Sequence, residues 1–138
     1  MTKFTLDPRL ENDSVFICDW NLSHVRLSRN AAFPWLLLMP RRDGVRDIID
    51  LSEPDQEELL REIRFASQVM KKLYDPTKLN VANLGNVVAQ LHVHVVARFD
   101  TDDAWPGPIW NSGVSKEYDA DKLTATIDML QQELKDFA

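Results

Sequence analysis

The chain has 138 residues, one cysteine and a formal net charge of −6, with acids and bases mixed along its length. A chain of this size buries roughly two-thirds of its unfolded surface, so one hydrophobic core suffices without a disulfide framework. The acidic balance argues against nonspecific binding to duplex nucleic acid, which rests on neutralising many phosphates, and the longest apolar stretch, residues 31–40, is far too short to cross a bilayer.

The N-terminal residues lack a long apolar run and predict no signal peptide. Residues 6–12 read as a polar entry segment. Residues 15–20 and 25–28 read as short strands joined around Asn21, and the single cysteine, Cys18, falls in the first of them. A lone thiol in an apolar run is expected to be buried, and it fits a reducing, cytoplasmic setting. Trp35–Pro40 is a continuous apolar run whose length and flanking prolines predict a buried strand. Asp43-Gly44 marks a turn.

Ser52 opens a helix as N-cap, with Pro54 in its first turn and acids at its positive end. Leu59, Leu60, Ile63, Ala66, Met70 and Leu73 form its apolar stripe, and Asp75-Pro76 stops it. A strand is predicted over 79–82, an Asn/Gly loop after it, and a second strand over 91–96. Residues 101–113 are rich in Trp, Pro and Gly and read as irregular. Residues 121–137 predict a second amphipathic helix. Strands, helix, strands, helix in that order predict one α+β domain over residues 1–138 with a largely antiparallel sheet.

Two of the chain's three histidines, His92 and His94, stand in the second of those strands. Side chains alternate along a strand, so Gln90, His92 and His94 share one face while Leu91, Val93 and Val95 enter the core. The preceding loop, with Asn83, Gly85 and Asn86, offers backbone and side-chain N–H donors. A nucleophile, a proton donor and an anion cradle are what attack on a phosphate needs. A neutral imidazole is a competent nucleophile, and its phosphoramidate product is open to water. Arg98 reads as an exposed strand-end residue, His24 as a surface residue, and Trp105 and Trp110 as packing residues.

The run Gln90-Leu91-His92-Val93-His94-Val95-Val96 resembles the signature of the histidine triad family, in which three histidines alternate with apolar residues. The last two histidines and every apolar position match, and Gln90 replaces the first histidine. The run Leu36-Leu37-Leu38-Met39-Pro40-Arg41, the Ser52 helix start and Trp105-Pro106-Gly107-Pro108-Ile109-Trp110 also fit, the last resembling a bacterial branch that carries Gln first.

The resemblance implies an α+β meander with one long central helix and a C-terminal helix, assembled as a homodimer. It implies hydrolysis or transfer at the α-phosphate of a nucleotide derivative, such as a dinucleoside polyphosphate, a phosphoramidate or an adenylate. It makes His92 the nucleophile, with His94 and Gln90 as its catalytic neighbours. Asn30, Asn80, Asn83, Gly85 and Asn86 become substrate-binding candidates. No metal, cofactor, membrane or nucleic-acid polymer is implied. Glutamine has no transferable proton, so proton delivery falls on His94 or water, with slower turnover or a preference for good leaving groups as the consequence. Asn86 and Val87 stand where a glutamine and a serine are usual, and Trp35 where many members carry histidine. Two alternatives stay open on the residues alone: a nucleotide-binding module with little catalysis, and a metal protein built on the His92-x-His94 spacing.

Overall fold

The apolar runs of the sequence pair edge to edge. In the computed structural model, which describes residues 4–137, β1 (Ser14–Asp19), β2 (Ser23–Ser28) and β3 (Trp35–Pro40) form a meander. The chain leaves the sheet for a long helix, returns as β4 (Lys78–Ala82), and closes with β5 (Val93–Arg98) inserted between β3 and β4. The result is a five-stranded antiparallel sheet ordered β1-β2-β3-β5-β4. The fold is α+β, as the alternation of element types predicts.

The long helix, α2 (Glu53–Tyr74), starts where its chemistry dictates. The Ser52 hydroxyl accepts from the Asp55 amide at 3.2 Å, and Asp75 ends the helix in the left-handed region at φ 45°. Leu59, Ala66, Val69 and Met70 pack into one cluster with Val25, Leu36, Leu38, Val93 and Val95 of the sheet. Fully burying each Val, Leu or Met side chain of this cluster contributes about 1.5–3 kcal/mol. The C-terminal helix, α3 (Ala120–Leu134), adds Leu130 and Leu134 to that cluster and accepts the Trp20 indole N–H at the Leu134 carbonyl, 2.6 Å away.

Four expectations need correction. Residues 6–12 are not merely a polar entry: Pro8–Asn12 forms a short helix, α1, that Asp7 caps through the Arg9 amide and that buries Leu10. Leu60 leaves the helical stripe and is 67% exposed. Adjacent helical positions lie about 100° apart, so Leu59 and Leu60 do not share the buried face. Glu62 takes a place there, fully buried, its carboxylate accepting the Leu22 and Ser23 amides at the β1–β2 turn. The histidine strand begins at Val93 rather than Leu91, because the Leu91 amide donates outside the sheet to the Val45 carbonyl at 3.0 Å. Arg98, expected at the surface, is 2% exposed.

Candidate active site

Leu91, Val93 and Val95 enter the core, which forces the alternate residues to the opposite face. His92 and His94 meet there with ring centroids 5.0 Å apart, and both line a cavity of about 590 Å³. Their hydrogen bonds assign their protons. His92 Nδ1 lies 2.6 Å from the Gln90 main-chain carbonyl. A carbonyl only accepts, so Nδ1 carries the hydrogen and Nε2, the nitrogen on the other side of the ring, keeps its lone pair.

His94 has the opposite assignment. Trp35 on β3 donates its indole N–H to His94 Nδ1 at 3.0 Å. An indole N–H only donates, so the neutral ring carries its hydrogen on Nε2. That Nε2 is buried without a hydrogen-bond partner among the described residues. Burial, reinforced by the neighbouring His92, pushes the His94 pKa down to about 3. At neutral pH His94 is therefore an uncharged, unpaired N–H donor.

A second unpaired donor stands beside it. Trp110 packs edge-on to His94, centroids 5.2 Å apart, and its buried indole N–H also lacks a partner. Trp110 lines the same cavity as Gly85, Asn86 and the two histidines. From the sequence this tryptophan is expected to pack. Its one sequence signal is the Trp-Pro-Gly-Pro-Ile-Trp run, which gives no indication that the indole nitrogen is left free. Gly85 holds φ +85°, and a Cβ there would meet the Val88 carbonyl at 3.2 Å. Among the described residues neither lysine nor arginine lines the cavity.

The other candidates divide. Gly85 and Asn86 line the cavity. Asn30 lines it too, but its amide is engaged with the chain: it accepts from the Ala32 and Lys116 amides and donates to the Val114 carbonyl, at 3.0, 3.1 and 3.0 Å. Asn80 accepts from Arg98 at 2.9 Å. Asn83 keeps a buried side-chain oxygen without a partner and is not among the cavity's lining residues. Gln90 turns to the N-terminal segment. Its oxygen accepts from the Asp7 amide and its nitrogen donates to the Thr5 carbonyl, both at 2.8 Å. The amide expected at the phosphate instead ties down the chain entry.

Arg98 earns its burial through four hydrogen bonds. It pairs with Asp102 at 2.9 and 3.1 Å, reaches Asn80, and donates to the Gly107 carbonyl at 2.8 Å. The rings of Phe33 and Trp105 flank it at 5.5 and 5.6 Å. Arg98 thus pins the loop that carries Trp110. Among the described residues no three His, Cys, Asp or Glu side chains gather as a metal site. His24 is held by Asp19 at 2.8 Å and Arg26 at 3.2 Å.

Residues 9–101 match the HIT domain family. The chain belongs to the histidine triad family. Solved histidine triad proteins extend the match over nearly the whole chain. One from Bradyrhizobium japonicum is 41% identical, covering 96% of this chain and 99% of its own, with a TM-score of 0.93. One from Marinobacter aquaeolei VT8 is 36% identical, covering 99% and 100%, with a TM-score of 0.95. One from Sinorhizobium meliloti 1021 is 36% identical, covering 95% and 97%, at 0.91. No curated protein matches the chain. The histidine triad fold expected from the motif is the fold observed.

Proposed function

We propose that this histidine triad protein is a nucleotide hydrolase or transferase that cleaves at an α-phosphate through a nucleotidyl-histidine on His92. Family membership supports nucleotide chemistry. The observation that carries the finer reading is the 2.6 Å bond from His92 Nδ1 to the Gln90 carbonyl, which leaves Nε2 as the lone-pair nitrogen beside the cavity. The Nε2 lone pair attacks phosphorus and the bond to the leaving group breaks with its electron pair. Water then attacks, the P–N bond breaks, and the pair returns to Nε2 while a proton passes to solvent. Charge on the phosphoryl oxygens is met by preorganised donors: the N–H of His94, the N–H of Trp110 and the loop at Gly85 and Asn86. Dinucleoside polyphosphates, nucleoside phosphoramidates and adenylates are the candidate substrate classes for nucleotidyl transfer to His92.

Homodimer assembly and cytoplasmic residence belong to the same reading. The exposed apolar side chains Val81, Leu84 and Val87, on edge strand β4 and the loop after it, support a subunit contact there. The single, buried thiol supports a reducing compartment.

His92→Asn should lose at least about a thousandfold in turnover, as removal of a covalent nucleophile does, and still bind nucleotide. A labelled nucleotide adduct at His92 in the wild type is the direct test. Full activity in the variant ends the proposal. The engaged Gln90 amide favours a second reading, a nucleotide-binding module with little catalysis; tight binding without any adduct would select it.

A further inference from the structure

We propose that Trp35 makes this site selective for leaving groups that depart as stable oxyanions, and closes it to phosphoramidates of ordinary amines. The inference rests on the nucleotidyl transfer to His92 proposed above, and it concerns the fate of the other half of the substrate.

Two ways exist to expel a group from phosphorus. A phosphate or another low-pKa oxygen leaves with the bonding electron pair and needs no proton. An alkylamine cannot leave as an amide anion, so a proton must reach its nitrogen as the P–N bond breaks. The donor must then give up a proton near neutral pH.

Among the described residues the cavity has no such donor in reach of the histidines. Gln90 has no acidic proton, and both ends of its amide are bonded to the Thr5 and Asp7 main chain at 2.8 Å. His94 would need to be an imidazolium to act as an acid. Trp35 stands in the way, because its indole N–H occupies His94 Nδ1 at 3.0 Å and an imidazolium has hydrogen on both nitrogens. Protonating His94 would set two N–H groups against each other inside a buried site. The same ring faces Leu37 across β3, Ala82 across β4 and the Trp110 indole, none of which carries charge. His92 is the nucleophile. Asp13, the remaining ionisable residue lining the cavity, sits where it merges with the adjoining cleft along Asn12, Arg29 and Lys116.

The donors that remain, His94 Nε2–H and Trp110 Nε1–H, stabilise negative charge without transferring a proton. In an anhydride the His92 Nε2 pair forms the P–N bond, the P–O bond breaks toward the leaving oxygen, and an anion departs intact. In an alkyl phosphoramidate the same displacement stalls.

The test pairs two substrates of each nucleoside, so that base preference cancels. One is the dinucleoside triphosphate, in which the 5′-monophosphate is joined to a nucleoside diphosphate; the other is the N-propyl phosphoramidate of the same 5′-monophosphate. Adenosine, guanosine, cytidine and uridine versions are assayed at pH 7. Wild type should prefer the anhydride in kcat/KM by about a hundredfold to ten-thousandfold, the span attributed to a missing general acid. Trp35→His, which puts a titratable ring against His94, should cut that preference at least about tenfold. An amidate turned over within about tenfold of the anhydride by wild type overturns the inference while leaving the His92 mechanism intact. No turnover of any substrate overturns both. Nitrogen-15 spectra of wild type provide a readout that does not depend on the variant folding: His94 must show a bare Nδ1 and a protonated Nε2, and the reverse pattern refutes the lock.

Discussion

Arg98 and Asp102 form a two-bond ion pair at 2.9 and 3.1 Å with side chains only 2% and 7% exposed. Asp102 also accepts the Phe99 and Ala104 amides, so it folds the loop back on the strand end. Breaking a buried pair by removing one partner strands the other charge. Asp102→Ala should therefore cost about 3–5 kcal/mol in denaturant unfolding. Because Arg98 also holds the Gly107 carbonyl, the loop around Trp110 should exchange its amides faster in the variant. A loss under about 1 kcal/mol would show that Arg98 finds water instead.

His94 makes stability depend on pH. Its pKa falls from 6.5 to about 3 on folding. The unfolded chain therefore takes up a proton that the folded chain refuses. Stability is fully present above pH 6.5 and declines as pH falls toward 3, by up to about 1.4 kcal/mol per pH unit. Unfolding in urea at pH 7.5 and pH 5 should differ by about 2 kcal/mol from this group. His94→Asn should flatten that part of the curve. Asp102, held at about 2 mainly by its hydrogen bonds to Arg98, contributes its own loss only at still lower pH.

Gln90→Ala should act at a distance from the cavity. It removes the two bonds that hold residues 5–7, at about 0.5–1.5 kcal/mol each, and limited proteolysis should then cut near Thr5 sooner. Gln90→His should leave turnover within about tenfold of wild type, since position 90 faces the chain entry and general acid catalysis is worth more than that. A hundredfold acceleration would mean that the side chain swings into the cavity during the reaction.

Gly85→Ala places a Cβ on a backbone at φ +85°, 3.2 Å from the Val88 carbonyl. The strain should cost about 1–3 kcal/mol. Binding of nucleotide, followed by titration calorimetry, should weaken as the loop shifts; unchanged affinity would remove this loop from the ligand's surroundings.

Most of the sheet was legible in the sequence because continuous apolar runs and turn residues mark strands whatever their partners. The pairing of His92 with His94 was legible for the same reason, since a period of two fixes which side chains share a face. Arg98 was not, because its burial depends on Asp102 four residues later, beyond the strand, and on a ring from each of two other segments. Gln90 was misplaced because the main chain of Thr5 and Asp7, more than eighty residues away in sequence, takes both ends of its amide. Trp110 looks like packing in any sequence, and Trp35 stands out only as the residue where many family members carry histidine; what matters is the partner each indole nitrogen finds or lacks, and only tertiary structure reveals that.

A cavity with no lysine or arginine among the described residues that line it has a kinetic signature. The whole chain carries −6, and a nucleotide arrives as an anion. Arg29 and Lys116 line only the adjoining cleft, and the net charge of the chain opposes the ligand's approach. Moderate salt should therefore quicken encounter by screening that repulsion, where a lysine-lined nucleotide site would be slowed.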